Sequence, residues 1–162
     1  MRHGIAARAD GGGSRNDRER PLTEAGTAEV RLIGRGLAAA GMAVDRIFSS
    51  PLVRARETAR IMAETHGGGA EIQELEELTS GLVPAALFRA LRTLPASSRV
   101  LLVGHEPDMG LLAATLLGLP ESRAIPFKTG GAARIDVDRM PPSSPGVLIW
   151  MIPPAISRSL AS

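Results

Sequence analysis

The chain contains no cysteine and no tyrosine, and aromatic residues make up only 2% of its 162 positions. The absence of cysteine excludes disulfides and thiolate chemistry, and it agrees with a cytoplasmic location. So few aromatic side chains provide no stacking platform for single-stranded nucleic acid. No apolar run reaches the ~18–20 residues of a membrane-spanning helix, and we expect no signal peptide before the first motif. We therefore expect neither nucleic acid nor a membrane as a partner.

Lysine is also nearly absent, since Lys128 is the only one among 19 basic residues. The sequence pI is about 10.3, although the formal net charge is only +2. Without tyrosine or cysteine, few groups titrate between histidine and arginine, so a small positive excess raises the pI steeply. The arginines are spread along the chain among acidic residues. The high pI therefore does not indicate a nucleic-acid-binding surface.

The remaining composition, 44% hydrophobic and 22% charged, is that of a globular protein. Its length fits one domain, which we expect to span residues 1–162. Patterns typical of strands alternate with patterns typical of helices, which predicts a three-layer α/β/α sandwich with a mostly parallel central sheet. The predicted helices are 24–40, 54–65, 84–94 and 108–117. The predicted strands are 46–50, a short extended piece within 71–78, 100–104, 131–137 and 147–152. Residues 4–21 are predicted to be a loop, and the tail after residue 154 a surface segment.

Basic side chains stand at the predicted ends of separate strands. His3 follows Arg2 at the start, Arg54 follows Ser-Ser-Pro after one strand, and His105 follows Gly104 after another. Ligands of parallel α/β sheets bind beyond the carboxyl ends of the strands. Imidazole beside guanidinium suits phosphoryl transfer, because it offers a nitrogen nucleophile and fixed positive charge. Each residue alone has an ordinary interpretation, as an idle terminal histidine, an exposed arginine or a buried structural histidine.

Four motifs in sequence order carry more weight together than any of them does alone. They are Arg2-His3-Gly4, Leu22-Thr23 with Gly26, Ser50 with Arg54 and Thr58-Ala59, and Gly104-His105. In this order they resemble the histidine phosphatase superfamily, which has the phosphoglycerate-mutase-like fold. The resemblance implies that His3 attacks phosphorus and carries the phosphoryl group. It also implies that Arg2 and Arg54 bind the phosphate and that His105 completes the pocket.

The later segments resemble the short SixA-type phosphohistidine phosphatases within that family. They are Val103 to Asp108, Phe127 to Ala133, and Trp150 near the end. Arg20, just before Pro-Leu-Thr, matches an arginine that this branch places near the phosphate. The resemblance implies a metal-independent hydrolase without a cofactor. The sequence agrees, because none of its three histidines stands at i, i+4 spacing to another.

A general acid is harder to assign from the sequence. Glu77 is the leading candidate, with Glu76 and Asp17 as alternatives, and adjacent glutamates most often belong to a solvated surface. A phosphohistidine substrate needs less acid assistance than a phosphate ester, because imidazole is a far less basic leaving group than an alkoxide. The absence of a clear acid therefore favours cleavage of a P–N bond.

The first motif comes so early that only Met1 precedes Arg2. The family resemblance implies an apolar strand before it, between strands 46–50 and 100–104. We therefore expect the first strand to be missing or truncated at the N-terminus, with the true start upstream or the chain a fragment.

Three functions remain open at this point. The first is a phosphohistidine phosphatase that acts on a phosphoprotein, such as a phosphorelay protein, through a covalent intermediate at His3. The second is a small-molecule phosphomonoesterase with the same nucleophile. The third is a weakly active phosphate-binding regulatory module.

Overall fold

Two groups of strands form the centre of the molecule, seen here in a computed structural model that describes residues 1–8, 17–120 and 125–160. The strands are β1 (Arg46–Ser49), β2 (Glu71–Glu74), β3 (Val100–Val103), β4 (Ala132–Asp136) and β5 (Val147–Ile152). The helices are α1 (Glu24–Ala39), α2 (Val53–Thr65), α3 (Pro84–Leu91), α4 (Asp108–Leu116) and α5 (Pro154–Ser159), with a short 3-10 helix at Glu76–Leu78. The order of the elements confirms the predicted α/β fold.

The first group is a three-stranded parallel sheet in the order β2-β1-β3. Ser49 is paired with Glu74 of β2 and with Val103 of β3, so the three strands end level with one another. β4 and β5 form a separate antiparallel hairpin. The three strands therefore end at one edge of the sheet, and the predicted site residues Arg54 and His105 come shortly after two of these strand ends.

Side chains of the parallel strands point alternately to two hydrophobic cores. Ile47 packs with α1 and α2 on one face, whereas Phe48 packs with α3 and α4 on the other. This alternation follows from the two-residue period of a strand. Helices therefore cover both faces of the sheet, as predicted for a three-layer sandwich.

Residues at the N-terminus lie along the free edge of β3. Arg2 forms a parallel bridge with Gly104, and the Met1 amine donates to the Leu102 carbonyl at 2.9 Å. β1 pairs directly with β3. The expectation that the N-terminal strand position lies between these two strands was therefore wrong. The position is on the other side of β3, since the Arg2 N–H also donates to the carbonyl of Gly131, just before β4.

A slot of about 520 Å³ separates β3 from β4. Met1 is one of the residues that line this slot, and the others include Leu101, Leu112, Ala133 and Trp150. In a strand, the N–H and C=O of one residue point to the same side, and those of the next residue point to the opposite side. Because the Leu102 carbonyl bonds to Met1, the peptide groups of Leu102 and Val100 face the slot. The slot is thus a mostly apolar channel with one wall formed by the edge of a strand.

Of the predicted loop over residues 4–21, residues 9–16 lie outside the described residues, and residues 17–19 are helical. Three further segments differ from the sequence prediction. The helix predicted over 84–94 ends at Leu91, and the piece within 71–78 divides into β2 and the 3-10 helix. The predicted surface tail instead forms α5, whose Ser157 is fully buried against α1. Gly36 of α1 allows this approach, since a Cβ there would lie 1.8 Å from the Ser157 carbonyl oxygen. Tertiary packing of this kind leaves no local pattern in the sequence.

The helices in the described ranges are all too short or too polar to cross a membrane.

Candidate active site

Three of the predicted residues meet at the carboxyl edge of the parallel sheet. His3 follows the Arg2 bridge to Gly104, Arg54 lies in the first turn of α2, and His105 comes two residues after β3. The two imidazole rings are 5.0 Å apart between centroids. Arg54 Nε donates to His3 Nε2 at 3.3 Å. Residues that are about 50 and 100 positions apart in sequence therefore meet where the ends of the parallel strands converge.

The hydrogen bonds of His3 define its tautomer. Its Nδ1 lies 2.7 Å from the carbonyl oxygen of Gly4, which can only accept, so Nδ1 carries the proton. Nε2 then holds the lone pair and accepts from Arg54. Burial lowers the pKa of His3 to about 4, and the positive charges of Arg54, Arg2 and Arg20 reinforce this, although the bond to Gly4 opposes it. His3 is therefore a neutral imidazole at pH 7, with its lone pair directed into the arginine cluster.

The backbone after His3 is held tightly against α2. The Gly4 N–H donates to Thr58 Oγ1 at 3.0 Å, and this hydroxyl in turn donates to the Arg54 carbonyl. A Cβ at Gly4 would lie 2.4 Å from a methyl carbon of Val30, so no larger residue fits without movement. One threonine hydroxyl therefore connects the backbone beside His3 to the helix turn that carries Arg54.

His105 is supported by a residue that the sequence reasoning did not assign to the site. Its Nε2 lies 2.9 Å from Ser50 Oγ, and the Leu52 N–H donates to the same oxygen. Burial lowers the pKa of His105 to about 3, reinforced by His3 and Arg54. Its Nδ1 is buried and has no partner among the described residues. Ser50 was visible in the motif with Arg54, but no local pattern predicts that its hydroxyl reaches His105.

Arg20 joins this cluster through Asp17. Arg20 donates to one carboxylate oxygen of Asp17 at 2.7 Å, and Arg54 donates to the other at 3.1 Å. Arg54 also donates to the Asp17 backbone carbonyl at 2.6 Å, and Arg20 Nε donates to the Ala7 carbonyl. The two arginines, distant in sequence, therefore share one carboxylate.

Arg2 is held from a different direction. Its guanidinium donates to the carbonyl of Phe127 at 3.0 Å. The Phe127 N–H donates to the Glu106 carboxylate, also at 3.0 Å. Glu106, which directly follows His105, therefore anchors the Phe127 backbone to which Arg2 is bonded. The sequence reasoning did not single out Glu106.

The structure separates the three candidate acids. Asp17 lies on the arginines, and their hydrogen bonds and charges outweigh its partial burial and lower its pKa. Glu76 pairs with Arg18 at the surface. Glu77 lies in the 3-10 helix, and within the described ranges it makes no hydrogen bond to His3 or His105. The side chain best placed in the cluster, Asp17, is therefore an ionised carboxylate rather than a proton donor.

Comparison with known proteins now identifies the family. The sequence model of the histidine phosphatase superfamily (branch 1) matches residues 1–80. Phosphohistidine phosphatase SixA of Escherichia coli is 32% identical, over 95% of this chain and 91% of its own. An uncharacterised protein of Picosynechococcus sp. is 35% identical, over 83% of this chain and 86% of its own.

Solved structures agree with the sequence comparison. The protein histidine phosphatase SixA complexed with tungstate has a TM-score of 0.79 and 30% identity, over 96% of this chain and 95% of that one. The chain belongs to the histidine phosphatase superfamily and to its SixA-type branch. It is accordingly a phosphatase of the class that uses a histidine nucleophile, as the motifs predicted.

Proposed function

We propose that the chain is a phosphohistidine phosphatase and that His3 is its nucleophile. Nε2 is the attacking atom, because the bond from Nδ1 to Gly4 leaves the lone pair on Nε2. The lowered pKa keeps this nitrogen unprotonated at neutral pH. The single observation that carries the proposal is this fixed, neutral imidazole inside a cluster of arginines.

In the first step, His3 Nε2 attacks phosphorus in line with the bond to the leaving group. A new P–N bond forms, the bond to the substrate imidazole breaks, and its electrons stay on the leaving nitrogen. The substrate ring leaves as neutral imidazole when its other ring nitrogen carries a proton. In the second step, water attacks the phosphoryl-His3, which releases inorganic phosphate and restores the neutral ring. Each step spreads negative charge over the transferring oxygens.

Fixed positive groups surround the place where this charge develops. Arg54 Nε donates to the attacking nitrogen, and this hydrogen bond must break to free the lone pair of Nε2 for attack. Arg2 and Arg20 lie close enough for their charges to act on His3. Such preplaced donors stabilise the charge without reorganising during the reaction. We assign Arg2, Arg20, Arg54 and His105 to phosphate binding. His105 contributes as a donor from Nδ1, which is free to bind an oxygen when the Ser50 hydroxyl donates to Nε2.

The choice of a substrate with a P–N bond depends on whether an acidic side chain can donate a proton to the leaving group. Asp17 is ionised, and Glu77 is not bonded to the cluster within the described residues. An imidazole leaving group departs with little acid assistance, whereas an alkoxide needs a proton. We therefore propose a phosphohistidine-bearing protein as substrate. We also propose a cytoplasmic location, with which the cysteine-free sequence agrees. The SixA relatives, which are named as phosphohistidine phosphatases, support this choice over a small phosphate ester.

The test compares a phosphohistidine peptide with a phosphoserine peptide of otherwise identical sequence, each relative to its uncatalysed rate. We expect a preference of at least about a hundredfold for the P–N bond, the range that general acid catalysis supplies. Glu77→Gln is expected to leave P–N cleavage unchanged. A severe loss of P–N cleavage in Glu77→Gln, or faster phosphoserine hydrolysis, would contradict the proposed substrate.

A further inference from the structure

The carboxylate of Asp17 is more exposed than the two arginines to which it is bonded. The Arg54 side chain is only 6% exposed and Arg20 is 26% exposed, whereas Asp17 is 44% exposed. Asp17 receives three hydrogen bonds from these two guanidiniums, one of them through its backbone carbonyl. Asp17 therefore occupies guanidinium donors of Arg54 and Arg20 that a bound phosphate would use.

Asp17 is also the carboxylate that both arginines share. In the described part of the chain, no other acidic side chain forms an ion pair with Arg54 or Arg20. The bond from Arg54 to His3 uses the third guanidinium nitrogen, so every nitrogen of Arg54 has a partner before any phosphate arrives. A carboxylate in this position presents two oxygens to the arginines much as a phosphate does.

We infer that Asp17 is a built-in competitor for phosphate, which must give up its arginine bonds when phosphate binds and takes them back when phosphate leaves. The inference rests on the proposed function of the same site, because it assumes that these arginines hold the transferring group. A phosphate dianion and an ionised carboxylate repel each other when they share two guanidiniums.

This competition has a specific effect on the reaction. The last step leaves inorganic phosphate bound to the arginines. Return of Asp17 to Arg54 and Arg20 supplies a partner for both guanidiniums and lowers the affinity for the product. Asp17 thus favours product release at the expense of tight ground-state binding, and we expect it to weaken inhibition by phosphate.

The experiment measures binding of inorganic phosphate by isothermal titration calorimetry at pH 7 and constant ionic strength. Asp17→Asn keeps the shape of the side chain and removes its charge. We expect it to bind phosphate about tenfold more tightly, the size of one charged hydrogen bond lost from the competing state. Asp17→Ala is expected to change in the same direction. In steady-state assays, the inhibition constant for phosphate is expected to fall by the same factor.

Glu64→Gln is the matched control, because it removes one negative charge from a surface pair with Arg31 and leaves the site untouched. It is expected to bind phosphate like the parent. Weaker or equal binding in both Asp17 variants would overturn the inference, and weaker binding would identify Asp17 as a positioning residue. Arg54→Ala distinguishes failure of the phosphate site from failure of the Asp17 inference: normal phosphate binding in this variant would mean that the phosphate site itself is wrongly assigned.

Discussion

The slot between β3 and β4 leads to a quantitative prediction. Adding five apolar, strand-forming residues before Met1 should fill it, because the added segment would continue the line of Met1 along the edge of β3. A parallel partner of β3 would bond to the peptide groups of Leu102 and Val100 that face the slot. We expect both a higher melting temperature and higher activity, since Arg2 and His3 would be held by a longer strand.

The magnitude follows from three contributions. Burial of five aliphatic side chains contributes roughly 10 kcal/mol, at about 2 kcal/mol each. About four new ladder hydrogen bonds contribute roughly 4 kcal/mol. Ordering five residues, backbone and side chains together, costs roughly 11 kcal/mol. The net gain is therefore about 3 kcal/mol.

The amine of Met1 adds a smaller contribution. Burial lowers its pKa from 8.0 to about 5, although Glu106 opposes this shift. At pH 7 the amine is mostly charged in the unfolded chain and neutral in the folded one, which costs about 1.4 kcal/mol of stability. An extension converts this amine to an amide and removes the cost. The total of about 4 kcal/mol corresponds to a rise in melting temperature of roughly 10 °C for a protein of this size.

The assay is a pair of thermal melts with a phosphoramidate turnover measurement on each protein. A Gly-Ser extension of equal length is the control, because it also converts the amine but brings no apolar side chains. It should recover no more than about 1.4 kcal/mol. If the apolar extension is no more stable or active than this control, then the slot does not accept a strand and the reasoning fails.

Three further predictions concern the site. Arg54→Lys should lower turnover by about a hundredfold, because lysine lacks the planar fork that can bind two phosphate oxygens at once. Arg31→Lys at the surface is the control, and near-normal turnover of Arg54→Lys would contradict the assigned role. Ser50→Ala should lower kcat/KM by about tenfold through misorientation of His105, and a pH profile and rate equal to the parent would exclude this support. The lowered histidine pKa values mean that the folded state binds fewer protons than the unfolded state, so stability should be lost as the pH falls from 6.5 through 4. In urea titrations at pH 7 and pH 5, His3→Gln should reduce that loss by roughly 1–2 kcal/mol, and an equal loss in both proteins would contradict the buried neutral ring.

The parts of the fold that the sequence predicts are those with strong local signals. Thr23 caps α1 by accepting from the Gly26 N–H, and the apolar run at Val100 forms β3. The meeting of His3, Arg54 and His105 was predictable because strand ends converge at one edge of a parallel sheet.

The remaining features depend on contacts between distant segments. The bonds of Asp17 to Arg54 and of Ser50 to His105 connect residues 37 and 55 positions apart, and no periodicity encodes either bond. The helix after Pro153 was likewise missed, because its burial comes from a close approach to Gly36 rather than from an apolar pattern. Sequence reasoning predicted that His3, Arg54 and His105 lie together, but not which residues hold them in place.

The most direct test of the central claim is to trap the covalent intermediate. The enzyme is mixed with a radiolabelled phosphohistidine peptide, quenched in alkali within the first turnover and mapped by proteolysis. We predict an acid-labile, alkali-stable phosphoryl label on His3, and loss of both label and turnover in His3→Ala with the fold intact. A label on His105, or near-normal turnover in His3→Ala, would contradict the assignment of His3 as the nucleophile.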